Sequence, residues 1–215
     1  TPAYTRDETR INVHIADEEH RHLKINMPGA NAQTEIVSQI MSNLGATSKP
    51  HSSIVLAGSL PPGTRDDTYA DLIKHGNELG ARVYLDAHGE ALRQSLKEIP
   101  YALKINRTEL AEFAGRDLAS FDDVRRVLDE PPFPEIAGVS VTSSESGARL
   151  RDATGDYLGQ SPERARRRAV GAGDSFLAGL VHGTEQGKTG AELLAWSLAC
   201  GTAWALTQGS PWPKA

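Results

Sequence analysis

Between residues 53 and 141 short apolar runs alternate with longer amphipathic stretches, and that alternation leaves few folds open. SIVLA (53–57) is a continuous apolar run of the kind a strand buried on both faces shows, and RVYLD, ALKIN and GVSVT follow it as further strands. Between them lie segments of helical character: 66–79, ending at Gly80; 89–98; RTELAEFAG, with Gly115 at its end; and SFDDVRRVLDE, which carries a capping-box-like Ser120 and Asp123. The pattern predicts an α/β fold, a mostly parallel sheet with helices on both faces.

Elements on either side extend the pattern. Residues 10–26 read as a hairpin or strand pair, MPGAN as a turn, and 34–44 as a helix with Ile36, Val37, Ile40, Met41 and Leu44 on one face. After EPPFPE, expected as an exposed proline-rich loop, ARLRD follows GVSVT as a strand, with YLGQ a possible third. Two long helices close the chain. One starts near Ala172, the other near Thr189, where Thr189-Gly-Ala-Glu192 fits a capping box. No internal repeat or low-complexity stretch is apparent.

The 215 residues suffice for one large α/β domain or two small ones, and 39% hydrophobic with 24% charged content is globular. A net charge of −5 argues against nucleic acid or an anionic membrane as partner. The arginines at 164, 166, 167 and 168 read as a solvated loop before a glycine turn. Cys200 is the single cysteine; it fits a small buried hydrophobe and a reducing compartment, and it excludes an internal disulfide framework. Neither a leader nor an apolar run near membrane length is visible, so a cytoplasmic chain is expected. Because residue 1 is Thr1, not methionine, an incomplete or processed chain is also expected.

In open α/β sheets ligands bind beyond the carboxyl ends of the strands. That rule gathers Gly58 and Ser59, Asp86, Lys104 to Asn106, and Thr142 with Ser143 along one rim. A second signal is RRRAVGAGDSFLAGL (166–180), where Gly171, Ala172 and Gly173 precede Asp174 at a helix start. Bare backbone N–H groups there suit an anion such as phosphate. The turn is neither a Walker A loop nor a dinucleotide fingerprint, since no Gly-Lys-Ser/Thr follows and position 176 is Phe176. That spacing disfavours a nicotinamide-dependent oxidoreductase. Asp174 is then either a structural capping acid or a base that takes a proton from an attacking hydroxyl beside a phosphate cradle, as phosphoryl transfer requires.

In LKINRTEL, Asn106 and Glu109 stand three apart where strand becomes helix. Spacing allows a helix-start feature; it also allows Lys104 to face phosphate oxygens while Glu109 holds a hydrated magnesium. Ser59, in AGSLP, lacks the surroundings of a nucleophile and reads as a substrate-binding hydroxyl. The seven histidines show no zinc spacing.

Together VLAGSLPPG (55–63), KINRTEL (104–110), VGAGDSFLAG (170–179) and CGTAWALTQGS (200–210) resemble the motifs of the PfkB, or ribokinase-like, carbohydrate kinases, in the family's order. TRINVHI (9–15) with INMPGA (25–30) resembles the phosphosugar branch, which includes fructose-1-phosphate, tagatose-6-phosphate and minor phosphofructokinases. The resemblance implies a ribokinase-like three-layer α/β/α core over residues 27–215 and a small β lid, of which residues 1–26 are part. It implies Asp174 as catalytic base, with Gly171, Ala172 and Gly173 stabilising the transferring phosphate. Arg10 and Ser59 fall to the sugar phosphate. Lys104, Asn106, Glu109, Thr142, Ser144, Gly147 and Thr207 fall to the nucleotide, Glu109 also holding magnesium through water.

ATP and Mg2+ are the implied cofactors, and a homodimer through the lid is a family expectation. The implied reaction is phosphorylation of fructose 1-phosphate to fructose 1,6-bisphosphate. Tagatose 6-phosphate or fructose 6-phosphate as acceptor is the alternative, and so is a catalytically silent nucleotide-binding fragment. The family often has proline at Ile105, glycine at Ser144 and threonine at Ala169. Its leading strands, an early aspartate and a Gly-Gly…Asn segment of the sugar site have no counterpart here, so an incomplete fold is expected.

Overall fold

The structure, a computed structural model, describes residues 10–16, 22–31, 34–143, 147–161 and 170–207. Ser144, Ala169 and the arginines of 164–168 lie outside these residues. Two compact units are present: Thr1–Val83 with Ala87–Ile99, and Tyr84–Asp86 with Pro100–Ala215.

In the first unit β1 (Asn12–Ala16) pairs antiparallel with β2 (His22–Asn26), placing Val13 opposite Ile25 and Ile15 opposite Leu23. This is the predicted hairpin. Period-2 alternation puts these four on one face, and each is more than two-fifths exposed. The helix expected over 34–44 runs on to Thr47 as α1 (Thr34–Thr47), with its apolar stripe only half-buried. A tighter core surrounds β3 (Ser53–Ala57) and α2 (Thr68–Glu78), where Ile54, Leu56, Leu72 and Ile73 are buried. Gly76 permits this approach, since a Cβ there would lie 2.5 Å from a Val83 methyl. The short α3 (Gly89–Ser95) follows β4 (Arg82–Asp86).

The remaining strands are β5 (Ala102–Asn106), β6 (Gly138–Ser143), β7 (Gly147–Asp152) and β8 (Gly155–Gly159). The main sheet has the order β3-β4-β5-β6-β7-β8. It runs parallel from β4 through β6 and turns antiparallel at β7 and β8. In the second unit α6 (Ala172–Glu185) and α7 (Gly190–Leu206) cover one face, with Phe176, Leu177, Leu180, Leu193 and Leu194 packed on Tyr84, Ala102, Ala148 and Leu150. On the other side α4 (Arg107–Ala114) packs against β5 and β6, and α5 (Phe121–Leu128) buries Val124, Val127 and Leu128. The predicted layering of helices on both faces is therefore present in this unit.

Two expectations fail in detail. EPPFPE is not simply an exposed loop: Phe133 is buried in a 3-10 turn and meets Phe113 edge-on, at 5.5 Å between ring centroids. The capping box at Thr189 does not form. No side chain caps α7 locally; the amide of Gly190 donates instead to Asp152 at 2.6 Å, and Glu192 pairs with Lys188.

Candidate active site

The parallel register of β4 and β5 sets Tyr84 opposite Ala102 and Leu85 opposite Leu103. One residue further, β4 ends at Asp86 while β5 places Lys104, and the ammonium of Lys104 donates to the carboxylate of Asp86 at 2.7 Å. Lys104 is only 7% exposed. A buried ammonium without a counter-charge is strongly unfavourable, so the pair accounts for its presence. Burial pushes the Asp86 carboxyl above its ordinary range against the pull of Lys104, and the nearby carboxylates of Glu109 and Asp174 push it the same way.

Where β5 becomes α4, the side chain of Asn106 accepts from the amide of Glu109 at 2.9 Å, and Glu109 accepts from the amide of Asn106 at 2.9 Å. The Asn/Glu spacing is thus a complete capping box, the helix-start reading of LKINRTEL. One carboxylate oxygen of Glu109 is taken by that bond. Thr142 lies opposite Asn106 on β6, so the ends of neighbouring strands bring these two predicted nucleotide residues together.

The glycine turn leads into α6. Gly171 is the N-cap, left-handed at φ 83°, and has no side chain to close the helix start. The amides that begin a helix lack intrahelical partners, so those from Ala172 onward point out of α6, and among the described residues no side chain caps them. Gly173 has a second reason to be glycine: a Cβ there would stand 2.9 Å from the Lys104 ammonium. The ammonium therefore sits directly against the helix start. Asp174, in the first turn, is exposed. The arrangement combines bare amides, a positive helix end, a fixed ammonium and a solvent-facing carboxylate, which together can hold an anion and accept a proton beside it.

Arg10 donates through Nη1 to the hydroxyl of Ser59 at 2.7 Å, within the first unit. A Cβ on Gly29 would lie 3.9 Å from Arg10 and 3.8 Å from Pro62, so INMPGA, Arg10 and the GSLPPG turn come together there. Tyr69 steadies that turn by donating to the carbonyls of Ala57 and Gly58, each at 3.1 Å. Gly147 must be glycine for a local reason: at φ 89° a Cβ would collide with the Gly159 carbonyl at 2.0 Å. Thr207 caps α7, its hydroxyl donating to the Trp204 carbonyl at 2.7 Å.

Sequence reasoning placed Asp86 on the rim without seeing its bond to Lys104. Both residues stand near the ends of adjacent parallel strands, but their pairing depends on a register that only the folded sheet shows. It gave Trp204 no role at all, although the indole donates to the Val170 carbonyl at 2.7 Å, directly before the glycine turn. The 34-residue separation between those partners leaves no local signal.

Among the described residues no helix is long and apolar enough to cross a membrane. The sequence is 29% identical over 205 residues to 1-phosphofructokinase of Haemophilus influenzae, covering 94% of this chain and 65% of that protein. It is 32% identical over 183 residues to 1-phosphofructokinase of Rhodobacter capsulatus, covering 83% and 57% respectively. The chain thus spans less than two thirds of the length of these curated relatives. The tetrameric inhibited form of Escherichia coli phosphofructokinase-2 superposes with a TM-score of 0.85 at 27% identity, covering 94% of this chain and 67% of that one. Residues 2–211 match the pfkB family carbohydrate kinases, and the chain belongs to that family.

Proposed function

We propose that this chain carries the phosphoryl-transfer machinery of an ATP-dependent sugar-phosphate kinase, with fructose 1-phosphate as acceptor and fructose 1,6-bisphosphate as product. The observation that carries the reading is the exposed Asp174 in the first turn of α6, with Lys104 packed against the adjacent Gly173. The relatives named 1-phosphofructokinase support fructose 1-phosphate as acceptor; the structural likeness to phosphofructokinase-2 keeps fructose 6-phosphate as the alternative, beside tagatose 6-phosphate.

In this reading Asp174 takes the proton from the attacking sugar hydroxyl. The amides of Gly171, Ala172 and Gly173 and the Lys104 ammonium hold the oxygens of the transferring group, an electrostatic role that costs no reorganisation during reaction. Asn106, Thr142, Gly147, Ser144 and Thr207 border the nucleotide, and Arg10 with Ser59 binds the sugar's own phosphate.

Glu109 fits a magnesium ion held through water. One of its oxygens is committed to the Asn106 amide, and no group of three or more acid, histidine or cysteine side chains among the described residues could hold a metal directly. Such a sparse donor set suits a cation that keeps most of its waters. Bound magnesium would offset charge on the phosphate oxygens.

A coupled assay of ADP release with fructose 1-phosphate, fructose 6-phosphate and tagatose 6-phosphate tests the proposal. Turnover highest with fructose 1-phosphate is expected; no turnover with any of them rejects kinase activity for this polypeptide. The second reading, nucleotide binding without turnover, rests on Lys104, Asn106 and the start of α6 lying together in one compact unit. It predicts a thermal shift with Mg·ATP in the absence of transfer. We further propose a homodimer formed through the apolar face of the β1–β2 hairpin.

A further inference from the structure

The glycine turn has no cap of its own. Gly171 offers no side chain, and its left-handed conformation is one glycine adopts freely and other residues resist. The direction of the amides and of Asp174 therefore depends on what holds the turn from outside. Trp204, near the carboxyl end of α7, does so in two ways. Its indole N–H donates to the Val170 carbonyl at 2.7 Å. Its ring also fills the space beside Gly171, where an added Cβ would lie 2.7 Å from the indole nitrogen and 3.0 Å from the benzo edge.

The base of that clamp is closely packed. Gly201, one turn earlier on α7, comes so near the start of α6 that a Cβ would stand 3.0 Å from the Ala172 carbonyl. Gly179 on α6 is similarly close to Ser197 and Cys200 on α7. The two helices are thus in backbone contact along their length, and Trp204 extends the contact past the end of α6 to the turn.

Resting on the kinase reading above, we infer that Trp204 is a positioning residue, whose bond to the Val170 carbonyl fixes the amides of 171–173 and the Asp174 carboxylate in the orientation phosphoryl transfer needs. Because the indole touches the turn that receives the phosphate, its emission also reports nucleotide binding. Small misplacements of reacting groups weigh on the chemical step more than on binding.

The test uses Trp204→Phe, which keeps a ring beside Gly171 and removes only the donor. It also uses a Trp196→Phe/Trp212→Phe background in which Trp204 is the remaining tryptophan. Expected for Trp204→Phe are an unchanged unfolding temperature, Mg·ATP affinity by calorimetry within about threefold of the parent, and kcat with fructose 1-phosphate lowered about tenfold or more. In the single-tryptophan protein saturating Mg·ATP is expected to shift the emission. A kcat within about twofold of the parent overturns the inference, and so does a fall in affinity and unfolding temperature that matches the fall in kcat. Should Trp204→Phe fail to fold, or the parent bind Mg·ATP without turnover, the emission decides: no change at calorimetric saturation overturns the inference. A parent that neither binds Mg·ATP nor transfers phosphate removes the kinase reading itself. An active parent with an indifferent variant removes only the role of Trp204.

Discussion

Lys104 keeps its ammonium at 7% exposure because Asp86 lies 2.7 Å away, and neither residue is tolerable there alone. Replacing Asp86 with Asn leaves an unpaired buried cation, so Asp86→Asn should cost on the order of 3 kcal/mol, read by denaturant unfolding. A stability within about 0.5 kcal/mol of the parent would show that the pair is dispensable. Asp174 differs in kind: it is exposed, and among the described residues it makes no ion pair or hydrogen bond that the fold needs. Asp174→Asn should therefore leave stability and Mg·ATP affinity near the parent's and lower kcat by about 10²–10⁴. Near-normal turnover would refute its role as base. These residues were unequally legible. Asp174 stood out because an acid directly after a glycine turn is unusual chemistry in a local window. The partnership of Asp86 with Lys104 depends on strand register across 18 positions, which no window of sequence contains.

Elements were readable where their signals are local. The Asn106–Glu109 and Ser120–Asp123 boxes form as the spacing predicts, and Gly115 closes α4 in the left-handed conformation. The start of α7 at Thr189 is as expected, but its cap was misread because the partner comes from 38 residues upstream. Asp152 accepts from the Gly190 amide at 2.6 Å and from the Thr154 amide at 2.9 Å. Partial burial opposes its charge, but bonds from the Thr154 hydroxyl and from the Gly190, Thr154 and Gly155 amides hold its carboxyl below the ordinary value. The unfolded chain therefore binds that proton more readily than the native one. The stabilisation is present above the ordinary carboxylate value of 3.8 and is lost as pH falls through the lowered native value. Asp152→Ala should thus destabilise by about 1 kcal/mol at neutral pH, as loss of a helix cap does. The difference from the parent should close as the solution is acidified below the carboxylate range. A gap that persists unchanged in acid would assign the effect to packing instead of charge.

At the scale of the whole molecule, the motifs made the family legible because each is a short, contiguous stretch. The proposed association is not written that way. The evidence for it is a surface, visible only once Val13 is set opposite Ile25 and Ile15 opposite Leu23. All four are exposed, by 41%, 43%, 52% and 55% for Val13, Ile25, Ile15 and Leu23, and Ile11 and Met27 extend the same alternation at 70% and 50%. A two-stranded ribbon is marginal alone in water, and an apolar patch of this kind on an isolated hairpin signals a surface that is covered in the working protein. In the dimer proposed above, a second copy of the same hairpin would be the self-complementary cover, since a two-fold axis brings identical apolar rows together. Sedimentation at micromolar concentration should then give a dimer or larger assembly for the parent chain. Ile15→Asp with Ile25→Asp should give a monomer whose affinity for Mg·ATP is unchanged, because the residues assigned to the nucleotide lie in the other compact unit. A parent that sediments as a monomer would reject the dimer, and a doubly substituted chain that still associates would move the interface away from the hairpin; either leaves its exposed face without this explanation.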